Sequence, residues 1–361
     1  MKRFVVSLLL ICMALSLCGC DLWLDGSYYS VTPHRAENQG QDDGTTEVSS
    51  YQELRKELIS MVANVTADGV IYANNLSLEE LQRFIPMAIE YTTQDDPIGA
   101  YAVKEIHYEI GTSSGRTAIA LNIAYNHNRS EILRIKKTAD MNEAMEVITT
   151  ALENCQPSVV VLVNEYAELD LTQRIQDHVD RNPSVCMEMP QVSITTYPEK
   201  GKDRVLEMTF TYQTSRESLR NMQNYVGPVF QAADLNVRGE EEESVKFSRM
   251  YAFLMERTDY TVETSITPAY SLLRHGVGDS RAFAQVYAAM CRRAGLDCQT
   301  VSGTRSGEPW VWNIICEDGV YYHVDLLYSL NFGRLYKLAD YEMTNYVWDY
   351  SAYPASGAAA E

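Results

Sequence analysis

The stretch HGVGDSRAFAQVYAAMCRRAGLDCQTVSG, residues 275–303, decides the fold. Two glycines, Gly276 and Gly278, mark a turn. Asp279 and Ser280 follow, two residue types that accept hydrogen bonds from the free N–H groups of a helix start. From Arg281 to Arg293 the apolar residues recur with helical period, and a second glycine break at Gly295 leads into a strand. Turn, capped helix and strand thus follow one another within thirty residues. Either Asp279 or Ser280 is expected to cap the helix.

Downstream, WVWNIICEDGVYYHVDLLYS (residues 310–329) continues the pattern. An alternating strand runs into an Asp-Gly turn, and a second strand ends in Asp325. Trp310 and Trp312 share one face of the first strand by its period of two. Upstream, FSRMYAFLMERTDYT (residues 247–261) reads as a preceding helix.

In this order, these elements resemble the transglutaminase-like superfamily, whose fold is papain-like. The resemblance covers somewhat under a third of the chain. It implies a cysteine at the helix mouth, a histidine on the facing strand and an aspartate that orients the histidine. The positions matching that triad are Ser280, Trp310 and Asp325. Only the aspartate is of the family's type. A serine hydroxyl is a far weaker acid than a thiol and needs a base beside it. An indole N–H donates and never accepts, so Trp310 is no base. His323, two residues before Asp325, is the alternative base, and His275 also lies near the turn. The resemblance therefore implies either a domain that has lost its chemistry and keeps its groove for binding, or a serine enzyme with a relocated base. The first is preferred, with Trp310 and Trp312 as candidate anchors for a peptide, a protein or a cell-wall segment.

The start of the chain carries a separate signal. Lys2 and Arg3 precede an apolar run over residues 4–17, too short to span a bilayer comfortably, and LCGC closes it. This resembles a bacterial lipobox and implies cleavage before Cys20 and acylation (palmitate or a similar chain) of its thiol. Residues 1–19 are then the signal peptide. Residues 20–50, polar and without an apolar face, form a flexible tether. The expected location is the extracytoplasmic face of a bacterial membrane.

Residues 51–239 are expected to form an α+β module built by internal duplication. RTAIALNIAYNHNRSEILRI (116–135) and RVLEMTFTYQTSRESLRNM (204–222) both place a strand ending in Tyr, a polar turn, and Arg four residues after the Tyr. Each unit reads helix, strand, strand, helix, with SVVVLVNEY (158–166) between the halves. A Ser77…Glu80 capping box opens one of the helices. Residues 240–347 form the transglutaminase-like domain, and residues 348–361 a C-terminal tail.

The formal charge is −19, which repels phosphate backbones and makes nucleic-acid binding unlike this surface. No ligand spacing for a metal and no phosphate loop is present, so neither metal nor cofactor is expected. Five cysteines lie beyond Cys20, namely Cys155, Cys186, Cys291, Cys298 and Cys316. They read as buried small hydrophobes, with a bridge among the last three as the alternative.

Overall fold

The computed structural model describes residues 46–258 and 263–357. Cys20, the signal segment and most of the expected tether lie outside them. None of the described helices is long and apolar enough to cross a membrane.

The first unit runs β1 (Thr46–Val48), α1 (Tyr51–Ala63), β2 (Asp68–Ala73), α2 (Leu78–Gln94), the short α3 (Pro97–Ala102), β3 (Val103–Ser113) and β4 (Arg116–Tyr125). Its sheet has the order β1-β2-β4-β3, with β1 parallel to β2 and the other pairs antiparallel. Helix α4 (Arg129–Leu133) leads into β5 (Lys136–Thr138), α5 (Met141–Glu153), β6 (Ser158–Val163), α6 (Leu171–Arg181), β7 (Gln191–Tyr197), β8 (Arg204–Thr211) and α7 (Arg216–Asn236). This second sheet has the order β5-β6-β8-β7, again with only its first pair parallel.

The two units match in detail. Thr46, Tyr51 and Asp68 open β1, α1 and β2, and Lys136, Met141 and Ser158 open β5, α5 and β6, each 90 residues further on. Helix α1 ends at Asn64, whose side chain bonds Ser60 O at 2.9 Å, and Val65 follows at φ 53°. Helix α5 ends at Asn154, bonded to Thr150 O at 2.8 Å, and Cys155 follows at φ 49°. The Tyr and Arg spaced by four serve these helix ends. Arg129 donates to Val65 O at 3.2 Å and Arg216 to Asn154 O at 3.3 Å. The Tyr125 hydroxyl donates to Thr66 O at 2.9 Å, whereas the buried Tyr212 hydroxyl has no partner among the described residues. Orphan carbonyls at helix ends demand such donors.

Two boundaries differ from the sequence expectation. The unit is longer than helix-strand-strand-helix, because a β-α-β segment precedes the hairpin in each copy. The run at 158–163 is therefore β6, inside the second sheet rather than between the halves. The folded chain also begins before residue 51. β1 pairs with β2, and Ser50 caps α1 by accepting from Glu53 N.

The third part contains α8 (Glu243–Met255), α9 (Pro268–His275), α10 (Ser280–Arg293), β9 (Cys298–Arg305), β10 (Glu308–Glu317), β11 (Val320–Val324), α11 (Leu326–Ser329) and β12 (Tyr346–Trp348). Its antiparallel sheet has the order β11-β10-β9-β12. Gly276 ends α9 at φ 72°, a left-handed position suited to glycine. Every residue from Ala282 to Cys291 is buried, so α10 is a central helix enclosed on all sides. It packs against the sheet together with α8 and α7, joining Phe247, Leu254, Phe283 and Tyr287 to Leu219, Val226 and Phe230. The opposite face of the sheet carries a second cluster, with Val301, Trp312, Ile314, Leu338 and Trp348. The segment expected as a tail folds back here. Ser302 N donates to Tyr353 Oη at 3.3 Å, and Gly357 N donates to Tyr321 O at 2.8 Å.

Candidate functional site

Helix α10 starts where the sequence places it, but only one of the two polar residues caps it. The Asp279 carboxylate accepts from Ala282 N at 2.9 Å. Ser280 is the first helical residue, and its Oγ accepts from Val311 N of β10 at 3.1 Å. The hydroxyl thus ties helix to sheet. Replacing Asp279 by alanine is expected to cost about 0.5–2 kcal/mol for the lost cap. Ser280→Ala orphans a backbone N–H and is expected to cost about 1–3 kcal/mol. Denaturant unfolding checks both, and a neutral Ser280→Ala would remove the tie from the account.

Strand β10 sorts its side chains by parity. Asn313 donates to Ala284 O at 2.9 Å and Ile315 packs with α10, whereas Trp310, Trp312 and Ile314 join the cluster on the far face. No imidazole or carboxylate makes a hydrogen bond to Ser280 among the described residues, and the group opposite its Oγ is a backbone N–H.

Asp325, at the end of β11, is 2% exposed and saturated with donors. Its Oδ2 accepts from Trp310 Nε1 at 2.8 Å, Tyr346 Oη at 2.7 Å and Arg305 at 3.2 Å. Its Oδ1 accepts from Tyr328 N at 3.1 Å, which caps α11. Trp310 is thus held as a hydrogen-bond donor to the Asp325 carboxylate. Burial first and the Asp325 carboxylate second hold the Tyr346 phenol well above its usual range, so it stays a donor. The Arg305 guanidinium lies 5.2 Å from the Trp310 ring centroid, 5.4 Å from Tyr328 and 5.5 Å from Tyr346. Three aromatic faces and one carboxylate thus enclose a cation that the chain itself supplies.

His323, the alternative base, makes no hydrogen bond to Ser280 among the described residues. It is completely buried. Trp312 Nε1 donates to its Nδ1 at 2.9 Å, so Nδ1 is the acceptor and Nε2 carries the proton. Nε2 in turn donates to Asp340 Oδ1 at 2.8 Å. Trp312 is also completely buried, so it presents no surface to a ligand and is a core residue rather than an anchor. It fits because Gly303 lies beside it. A Cβ there would stand 2.2 Å from Val347 O and 2.9 Å from the Trp312 ring. His275 is exposed and packs edge-on against Tyr270 at 5.5 Å.

Burial holds the His323 imidazole below its usual value of 6.5, with Asp340 pulling the other way. The unfolded chain then takes up a proton below about pH 6.5 that the folded chain refuses, so stability falls as pH drops through that window. The melting temperature is expected to fall more between about pH 7.5 and about 5.5 in the wild type than in His323→Gln. Parallel curves would assign the acid sensitivity elsewhere.

Arg305, Tyr328, Tyr346 and Asp340 escaped sequence reasoning. The available signal was chemical: a Trp at a position facing polar partners needs an acceptor, and a buried His needs two neighbours. Among the described residues no group of His, Cys, Asp and Glu is placed to hold a metal ion. All five described cysteines are free thiols, and burial pushes Cys186 up to about 12 and Cys298 well above the usual thiol value.

A buried helix whose N-terminus meets an antiparallel sheet, with an aspartate at the end of the third strand after it, defines a papain-like α+β domain. The transglutaminase-like superfamily model matches residues 231–328, and the chain carries a transglutaminase-like domain there. Three solved structures are similar in part. One is a TGase, 11% identical, covering 47% of this chain and 50% of that one, with a TM-score of 0.26. The second is a putative cysteine protease from Cytophaga hutchinsonii, 11% identical, covering 44% and 70%, with a TM-score of 0.25. The third is a putative protease from Parabacteroides distasonis, 9% identical, covering 71% and 39%, with a TM-score of 0.23. The chain spans about half the length of the first of them. No curated protein matches the sequence.

Proposed function

We propose that this protein is a lipid-anchored, extracytoplasmic lipoprotein whose transglutaminase-like domain performs no acyl transfer and captures a peptide, protein or cell-wall segment. The observation that carries the reading is the use made of the triad positions. Ser280 Oγ holds Val311 N, Trp310 is spent on Asp325, and Asp325 is filled by Arg305, Tyr346 and Trp310. Nucleophilic attack needs a base within hydrogen-bond reach, and Trp310 and His323 lack either the lone pair or the freedom. Aromatic surface remains beside the site. Trp310 is half-buried, and Phe332, 43% exposed, stacks on Tyr336 at 4.0 Å. Such rings favour binding over a purely structural role.

The test has two arms. A fluorophosphonate probe should leave Ser280 unlabelled, and a glutamine peptide with an amine donor should give no transamidation. Labelling that disappears in Ser280→Ala would overturn the inactive reading. For the anchor, mass spectrometry of membrane-extracted protein should find an acylated N-terminal Cys20, and Cys20→Ser should release a folded protein. A soluble mature form starting elsewhere would reject the anchor.

A further inference from the structure

Strand β3 is the outer strand of the first sheet, bonded to β4 and, among the described residues, to no other strand. The turn at Ser114 and Gly115, with φ 50° and 76°, closes the β3–β4 hairpin at Ser113 and Arg116. A two-residue turn of this kind makes the closing pair a hydrogen-bonded one, and bonded pairs then recur at every second residue. Glu109 and His107 therefore turn their backbone groups toward β4. Ile106, Tyr108, Ile110 and Thr112 turn N–H and C=O outward. Ile123, opposite Ile106, confirms the phase, because its N–H points away from β3 and donates to Ala67 O at 2.7 Å.

An open edge of this length invites pairing, and proteins usually guard one with charge. Lys104, Glu105, His107 and Glu109 are all exposed on β3, and His107 Nε2 lies 3.4 Å from Glu105 of its own strand. Whether such charges repel a second strand depends on what stands opposite them. Two identical strands related by a two-fold axis meet antiparallel, and wherever residue i faces j, j faces i. With the axis at His107, Glu105 faces Glu109 twice. With the axis at Glu109, that carboxylate faces its own copy. With the axis at Tyr108, His107 faces Glu109 twice, Glu105 faces Gly111, and Lys104 faces Thr112. On the other side of the strand Ile106 then faces Ile110, both of which pack on the core of the first unit. Tyr108, 36% exposed, meets its own copy at the axis. Opposite charges and apolar pairs across strands are stabilising, and like charges directly opposite are not.

We propose that two copies of this chain join through β3, antiparallel about Tyr108 over residues 104–112, so that two four-stranded sheets become one. The outward N–H and C=O groups of Ile106, Tyr108 and Ile110 gain partners, and His107 gives an N–H to Glu109 of the second copy. One strand pair is a small interface, so the dimer is weak and reversible. The proposal goes beyond the reading at Ser280 and Trp310. It uses neither the lipid anchor nor the triad positions, and stands or falls without them.

Sedimentation equilibrium at rising concentration tests it, on the mature chain carrying Cys20→Ser, which takes no lipid. A reversible monomer–dimer equilibrium is expected. Tyr108→Lys sets two ammonium groups side by side at the axis, and His107→Glu sets a carboxylate opposite Glu109. Each should weaken association by about tenfold or more. Both positions are exposed, so the monomer should keep its fold, which an unchanged melting temperature checks. His107→Glu combined with Glu109→Lys restores opposite charges across the axis and should recover association. A chain that stays monomeric at every concentration, association unchanged in Tyr108→Lys, or a double variant no better than His107→Glu alone would each overturn the proposal.

Discussion

Trp312→Ala is expected to lower the unfolding free energy by about 3–5 kcal/mol, the range for emptying a buried aromatic site. The ring is completely buried and contacts Tyr346 and Trp348 edge-on, at centroid distances of 5.1 and 5.8 Å. The backbone of Gly303 and Val347 closes in from one side, so the walls have little room to collapse into the cavity. The substitution also leaves His323 Nδ1 without its donor, a buried acceptor worth about 1–3 kcal/mol when orphaned. Trp312→Phe weights the two effects differently, because it keeps part of the aromatic volume while removing the N–H altogether. Denaturant midpoints at unchanged m-value would measure both. A loss below about 1 kcal/mol for the alanine variant would contradict a core role for this residue.

Asp325→Ala is expected to cost a similar amount, about 3–5 kcal/mol, because it removes one member of a buried charge pair. Arg305 keeps some exposure, with 27% of its side chain accessible, which places the expected cost at the lower end. Trp310 and Tyr346 would lose their shared acceptor at the same time. The informative comparison is the double variant with Arg305→Ala. If the carboxylate mainly holds the guanidinium, the second substitution should cost much less in the Asp325→Ala background than in the wild type. Strict additivity would mean that the carboxylate acts chiefly through the indole, the phenol and the cap of α11.

Local chemistry made parts of this structure legible in the sequence. The Ser77…Glu80 capping box forms as expected, with Ser77 Oγ accepting from Glu80 N and Glu80 accepting from Ser77 N at 2.8 Å. The helix at 281–293 and the strands around it follow from period and glycine placement alone. Three-residue strands do not carry a period. β1 and β5 exist because β2 and β6 offer them an edge, so the full length of each repeated unit was hidden and β6 read as a connector. The spacing of Tyr and Arg by four was visible, but its purpose lay at helix ends about sixty residues earlier. At the site, Ser280 and Trp310 could be read as departures from the residue types that the resemblance implies. The fate of the remaining aspartate could not, because its partners arrive from β9 and β12, twenty residues before it and twenty-one after it in the chain. His323 stayed open as a base for the same reason: the indole N–H that blocks it belongs to the neighbouring strand.

Helix α7 has one end in each half of the folded chain. Near its start, Gln223 donates to Glu153 O at 2.7 Å and to Val185 O at 2.6 Å, both in the second sheet unit. Near its end, Phe230 lies in the core around α10, and Asp234 takes two bonds from Arg293. The exposed acidic stretch after it, at Glu241 and Glu242, offers a protease an open bond. A nick there would break the polypeptide without parting the pieces. The C-terminal fragment would leave with a wall of its own interior attached to the other fragment, so the two would migrate together until denaturant pulled them apart.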